Sequence, residues 1–109
     1  MAIELPSIVA DYFAADQESG VEAVSGCFTA NAVVMDEGKT YTGLDEIRRW
    51  KADSATKYTY TAEPFQVAAE ADRTVVKAHL VGNFPGSPAD LRYFFALIGG
   101  KIAALEIKP

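Results

Sequence analysis

The sequence predicts an α+β domain, with helices packed on one face of an antiparallel sheet. Three observations carry this. Apolar residues recur at helical spacing as far as Trp50. From Tyr58 the period changes to two. Between the helical stretches lies a short strand–turn–strand, Ala32 to Thr42 around Glu37-Gly38. Helices first and long strands after is the order of a layered α+β fold.

Pro6 suits the first turn of a helix, where its missing N–H costs nothing. Ile8, Val9, Tyr12 and Phe13 form an inward stripe, and Asp16, Gln17 and Glu18 end it near Gly20. Ser19-Gly20-Val21-Glu22 has the form of a capping box. It opens a short second helix with Val21, Val24 and Phe28 on one face. Helices joined this tightly predict a hairpin. A strand then runs Ala32 to Asp36, turns at Glu37-Gly38 and returns over Lys39 to Thr42. Thr42-Gly43-Leu44-Asp45 has the form of a second capping box, Asp standing for Glu. The third helix sets Leu44, Ile47 and Trp50 inward, with Arg48, Arg49 and Lys51 on a solvated face.

In the second half, Tyr58, Tyr60 and Ala62 alternate with Thr59, Thr61 and Glu63. Pro64 cannot donate to a ladder, so it marks a bulge or an edge. Phe65, Val67 and Ala69 continue the strand, and Glu70 to Arg73 connects it to the next, Thr74 to Phe84. After the loop Pro85-Gly86-Ser87-Pro88 come strands Asp90 to Ile98 and Lys101 to Ile107, joined by Gly99-Gly100. In Asp90–Ile98, Leu91, Tyr93, Phe95 and Leu97 point one way, and Phe94, Ala96 and Ile98 the other. Both faces are apolar, and helices can cover only one. The second cover is most simply another copy of the chain, so a homodimer is expected through the sheet face carrying Leu91, Tyr93 and Phe95, or its neighbours.

The chain has 109 residues, read as one domain over 1–109. That length can bury roughly two thirds of the surface an unfolded chain exposes. Half the residues are hydrophobic, which excludes a disordered chain. The net charge of −5, with no Lys/Arg cluster, disfavours nucleic acid. No run approaches the roughly 18 apolar residues of a membrane span, so no membrane partner is expected. A single cysteine, Cys27, cannot form an internal disulfide, and no signal peptide is visible. A cytoplasmic location is expected. One His and one Cys at unrelated places do not make a zinc site. No serine has a glycine-flanked elbow, and no glycine-rich loop cradles phosphate.

Asp36 ends the apolar run Val33-Val34-Met35 and shares a strand face with Val34. It reads two ways. As a carboxylate in an apolar cavity, its charged form is disfavoured and its pKa rises toward the range of a general acid/base. As an Asx-type residue, it merely starts the turn at Glu37-Gly38. Tyr12 is either a core aromatic or a hydroxyl donor into a cavity. His79, the single histidine, is a half-exposed sheet residue, a second acid/base or a ligand contact. Arg92 could meet an acidic ligand group, or pair with Asp36 or Glu106. Cys27 reads as a small buried hydrophobe.

The segment FTANAVVMDEGKTYTGLDEIRRW and the order of elements resemble the SnoaL-like branch of the nuclear transport factor two-like, or cystatin-like, superfamily. That branch includes polyketide cyclases and ketosteroid isomerases. The resemblance implies a cone, with a curved antiparallel sheet wrapped around three N-terminal helices and an internal apolar pocket. It aligns Asp36 with the aspartate base of ketosteroid isomerases. It aligns Tyr12, in VADYFAAD, with their oxyanion-binding tyrosine. Their second oxyanion group, a protonated aspartic acid on the penultimate strand, falls on Phe94, so half of that site is missing. The later-strand aspartate of a SnoaL-type cyclase has no counterpart. The resemblance also implies that the pocket takes a small, mostly apolar molecule, lined by Tyr12, Phe28, Trp50 and Phe94. The implied reaction is cofactor-independent proton transfer next to a carbonyl, as in an isomerase or aldol-type cyclase. A non-catalytic ligand-binding or dimerisation module of the same fold is the alternative. The two differ in whether Asp36 points into a closed cavity or out to water.

Overall fold

The computed structural model describes residues 4–18 and 20–109. Helix α1 (Ser7–Gln17) and the short α2 (Val21–Ser25) lead into strands β1 (Phe28–Asp36) and β2 (Lys39–Thr42). Helix α3 (Leu44–Lys57) follows, then β3 (Tyr60–Glu70), β4 (Arg73–Gly82), β5 (Ala89–Ile98) and β6 (Lys101–Lys108). The six strands form one sheet in the order β2-β1-β6-β5-β4-β3. Every pairing is antiparallel except β1 with β6, which is parallel. The expected wholly antiparallel sheet is thus mixed: the N-terminal hairpin joins the main sheet through its last strand. The register slips between Phe28 and Val33, between Pro64 and Gln66, and between Ala96 and Leu97. Such bulges bend strands, and here they curve the sheet around the helices into a cone.

The inner layer is the core. Val9, Tyr12 and Phe13 of α1 meet Val34, Val76, Phe95 and Leu105, all nearly or wholly buried. Leu91, Tyr93 and Phe95 therefore face the chain's own helices, not a second copy. The expected dimer face is corrected accordingly: these side chains are already covered within the chain. The opposite face carries Phe94, which packs beside Val75 across the β4–β5 ladder, outside the main core. The Arg73 guanidinium lies 4.7 Å from the Phe94 ring centre, with Arg92 and Lys108 at 5.6 and 5.9 Å. Long cationic side chains thus cover the apolar ring while their charges stay wet.

Three local expectations change. Phe28 opens β1 instead of closing α2, because α2 stops at Ser25 and the chain turns at Gly26-Cys27. At α3 the N-cap is Gly43, and its φ of 85° suits glycine. Glu46, not Asp45, reaches back, accepting the Thr42 N–H at 2.7 Å. Asp45 pairs with Arg48 instead. Lys51 is not solvated: only 2% of it is exposed. The capping box read at Ser19 lies outside the described residues. Pro64 sits on the edge strand β3 and at its bulge, satisfying both readings at once.

Candidate active site

A cavity of about 320 Å³ opens between the helices and the concave face of the sheet. Its polar wall is formed by Tyr12, Asp36, Trp50, Lys51, Tyr60 and Tyr93, and its apolar wall includes Leu80, Phe84, Leu91 and Ile107. Each group arrives from an inward position of its element. Asp36 is last on the β1 face that begins with Ala32 and Val34. Beyond it Glu37 takes a left-handed φ of 54° and Gly38 one of 77°, turning the chain away. Asp36 is thus both a pre-turn residue and a cavity carboxylate; the two roles are not exclusive.

The Trp50 indole N–H donates to Asp36 Oδ2 at 3.1 Å. This neutral donor fixes the carboxyl without neutralising it. Burial raises the Asp36 pKa above the ordinary value, and the Trp50 hydrogen bond lowers it by less. Glu37 adds a smaller upward push by charge repulsion, against its backbone N–H. Tyr12 packs edge-on against Phe13, Phe28 and Phe95. Its hydroxyl has no hydrogen-bond partner among the described residues, nor has that of Tyr93. No buried side-chain N or O among the described residues lacks a partner, so both hydroxyls are open to the cavity. Burial, then the Asp16 charge, raises the pKa of each, so both stay protonated donors.

Behind the wall lies a cluster that the sequence reading missed. Asp16, 5% exposed, forms an ion pair with Lys51. It also accepts the Tyr60 hydroxyl, at 2.8 Å through Oδ2 and 3.0 Å through Oδ1. Lys51 Nζ lies 3.4 Å from the Tyr60 oxygen. The signal was present: Asp16 is four residues after Tyr12, and Lys51 four after Ile47, so both continue inward stripes. Polarity alone sent them to the surface.

Of the other expected site residues, Phe28 is buried beneath Tyr12 and supports it without lining the cavity. Phe94, His79 and Arg92 lie on the outer face. His79 Nδ1 is 2.6 Å from Asp90 Oδ1, and Arg92 donates to the carbonyl of Pro109 at 3.1 and 3.2 Å. Neither Asp36 nor Glu106 is Arg92's partner; Glu106 pairs with Arg73 and Lys108. Strand alternation explains the displacement of Phe94. The cavity-facing residues of β5 are Leu91 and Tyr93, so Phe94 does not line the cavity. Cys27 is buried, its thiol 3.4 Å from the Ala23 carbonyl, and burial raises its pKa. Among the described residues no group of three or more His, Cys, Asp or Glu is placed to hold a metal ion.

The sequence pattern of the SnoaL-like domain matches residues 9–105, a span that includes every cavity residue named above except Ile107. The chain belongs to the SnoaL-like domain family. Among solved structures, this SnoaL-like chain is 41% identical to a protein of Sinorhizobium meliloti described as a candidate polyketide cyclase. The match covers 95% of each chain, with a TM-score of 0.90. A Catenulispora acidiphila protein with a ketosteroid isomerase-like fold, solved with trimethylamine, shares the fold at 21% identity. There the coverage is 97% of this chain and 87% of that one, with a TM-score of 0.85. SalBIII, an epoxide hydrolase/cyclase-like enzyme of pyran ring formation in the polyether salinomycin, is 26% identical. It covers 94% of this chain and 87% of its own, with a TM-score of 0.75. No curated protein matches the SnoaL-like chain. Among the described residues no helix is long and apolar enough to cross a membrane.

Proposed function

We propose that this SnoaL-like chain is a cofactor-independent isomerase or cyclase acting on a small, mostly apolar carbonyl compound held in the cone. Asp36 is the general acid/base and Tyr12 donates to the developing oxyanion. The carrying observation is the setting of Asp36: a cavity carboxylate, desolvated, with a neutral indole as its side-chain donor and no ion pair among the described residues. Such a group can take a proton from the carbon beside a carbonyl and return it elsewhere, because its pKa moves toward that of a useful base. As the C–H bond breaks, charge passes to the carbonyl oxygen. The Tyr12 and Tyr93 hydroxyls, open to the cavity and fully protonated, meet that charge. The polyketide-cyclase and cyclase-like descriptions of its relatives support the reaction class.

The test is proton exchange. Ketones of steroid and polyketide type are incubated with the protein in deuterated water, and exchange beside the carbonyl is followed by NMR. Wild type is expected to catalyse exchange and Asp36→Asn to lose it. Binding without exchange across the panel would leave a ligand-binding module of the same fold. Binding itself is read from Trp50, the single tryptophan, whose indole lines the cavity.

The assembly we propose is a homodimer through the outer sheet face. That face keeps Met35, Val81 and Ile98 exposed on the same side of the sheet as Phe94. With one buried thiol and no disulfide, the chain fits a reducing compartment such as the cytoplasm.

A further inference from the structure

We propose that Lys51 is a further, charged oxyanion-binding group of the cavity, and that the ligand carries a carbonyl, enol or phenolic oxygen directed at it. A lysine is almost never fully buried without a partner, and Lys51 has two in fixed places. Asp16 takes one N–H and the Tyr60 oxygen a second. An ammonium has three donors. The third N–H has no acceptor among the described residues, while Lys51 itself lines the cavity. Tyr60 cannot substitute for it, since its one proton is given to Asp16. Asp16 therefore shares its charge between two donors and holds the ammonium in one orientation. A donor fixed in this way needs no reorganisation when charge develops on a substrate oxygen.

The charges around Lys51 favour this role. The groups facing it from the packed elements are Asp16 and Tyr12 of α1, Tyr60 of β3, Tyr93 of β5 and Asp36 of β1. Only Asp16 pairs with it among the described residues. The tyrosines stay neutral. Glu37, Lys39, Asp53 and Lys57 are exposed at the mouth, where water screens them. The cavity is then bipolar, with a carboxylate held by an indole on one wall and an ammonium held by a carboxylate on another. A molecule with an apolar body and one acidic or polarisable oxygen fits that arrangement. A hydrocarbon or a ligand with a permanent cation does not.

This inference rests on the reading of the cavity as a ligand site, but its test needs no turnover. The probes are 4-nitrophenol and its methyl ether 4-nitroanisole, followed by nitrophenolate absorbance and Trp50 emission. Wild type is expected to bind the phenolate about 10- to 100-fold more tightly than the ether, the range of a hydrogen bond to a charged group. The bound phenol should ionise at lower pH than the free one. Lys51→Met should remove most of both effects, leaving only what the neutral Tyr12 and Tyr93 hydroxyls supply. Because that change leaves Asp16 buried without its cation, the double variant Asp16→Asn/Lys51→Met serves as the folded control. It should show the same reduced preference as Lys51→Met. A phenolate preference in the double variant as large as that of wild type overturns the inference, as does equal binding of the two probes by wild type. Binding of neither probe also overturns it, since Lys51 is then closed to ligands. Loss of the inference leaves the Asp36 exchange assay untouched, and failure of that assay leaves the phenolate result standing.

Discussion

Asp36 holds its proton more readily in the folded chain than in the unfolded one, because burial withdraws water from the charged form. Its pKa is raised, so the unfolded state loses its proton first as pH increases. Stability therefore falls with pH from the unfolded value, about 3.9, through the raised folded value, and the penalty persists above it. Asp36→Asn removes the penalty and keeps an acceptor for Trp50. Urea unfolding should show a variant more stable than wild type near neutral pH and equal to it in acid. A carboxyl NMR titration placing Asp36 at or below its ordinary range would refute this. The buried pair behaves oppositely. Removing one charge strands the other, so Lys51→Met should cost about 3–5 kcal/mol in unfolding free energy. Adding Asp16→Asn should restore part of that loss, since Tyr60 and an amide satisfy each other. If the two losses simply add, Asp16 and Lys51 are not coupled.

Gly82 lets the ends of β3 and β4 approach. A Cβ there would lie 2.3 Å from the Thr59 carbonyl oxygen and 2.5 Å from Tyr60 Cβ. Tyr60 is paired with Gly82 in the ladder, so this contact helps set the tyrosine that orients Lys51. Gly82→Ala is expected to destabilise by about 1–3 kcal/mol, the usual range for overpacking. It should also disturb the Tyr60 hydroxyl, visible as a weaker phenolate preference. A variant as stable as wild type would mean that the strand end yields freely. The start of α3 has a comparable dependence on Glu46. Glu46→Ala leaves the Thr42 N–H without its carboxylate and should cost about 0.5–2 kcal/mol by thermal unfolding. Asp45→Ala, whose partner is an exposed arginine, should cost less than half of that.

The sheet as a whole presents two different surfaces, and only the outer one is available to a second copy. Sedimentation at micromolar concentration is expected to show a dimer. Ile98→Lys, at a side chain 68% exposed on the outer face, should shift it toward monomer without loss of fold. A wild-type monomer under those conditions would mean that Arg73, Arg92 and Lys108 cover Phe94 well enough alone.

Order and type of the elements were legible because periodicity is a local property: helical spacing in the stripe Val9–Phe13, alternation from Tyr60 onward, and turns at Glu37-Gly38 and Gly99-Gly100. Asp36 was legible as a candidate because it follows an apolar run on the same strand face as Val34. The parallel joining of β1 to β6 was not, since the partners lie far apart in the chain and nothing in either strand names the other. Nor was the direction of the β5 faces. Both are apolar, and only the packed helices decide that Tyr93 enters the cavity while Phe94 leaves it. The Asp16–Lys51–Tyr60 cluster is the clearest case. Each residue alone reads as a surface or strand residue, because burying a charge is unfavourable. Burial becomes possible only when the fold brings the opposite charge and a hydroxyl within reach. The sequence by itself determined which groups could do chemistry. The tertiary structure decided which of them are out of water together, and desolvation is what changes their behaviour.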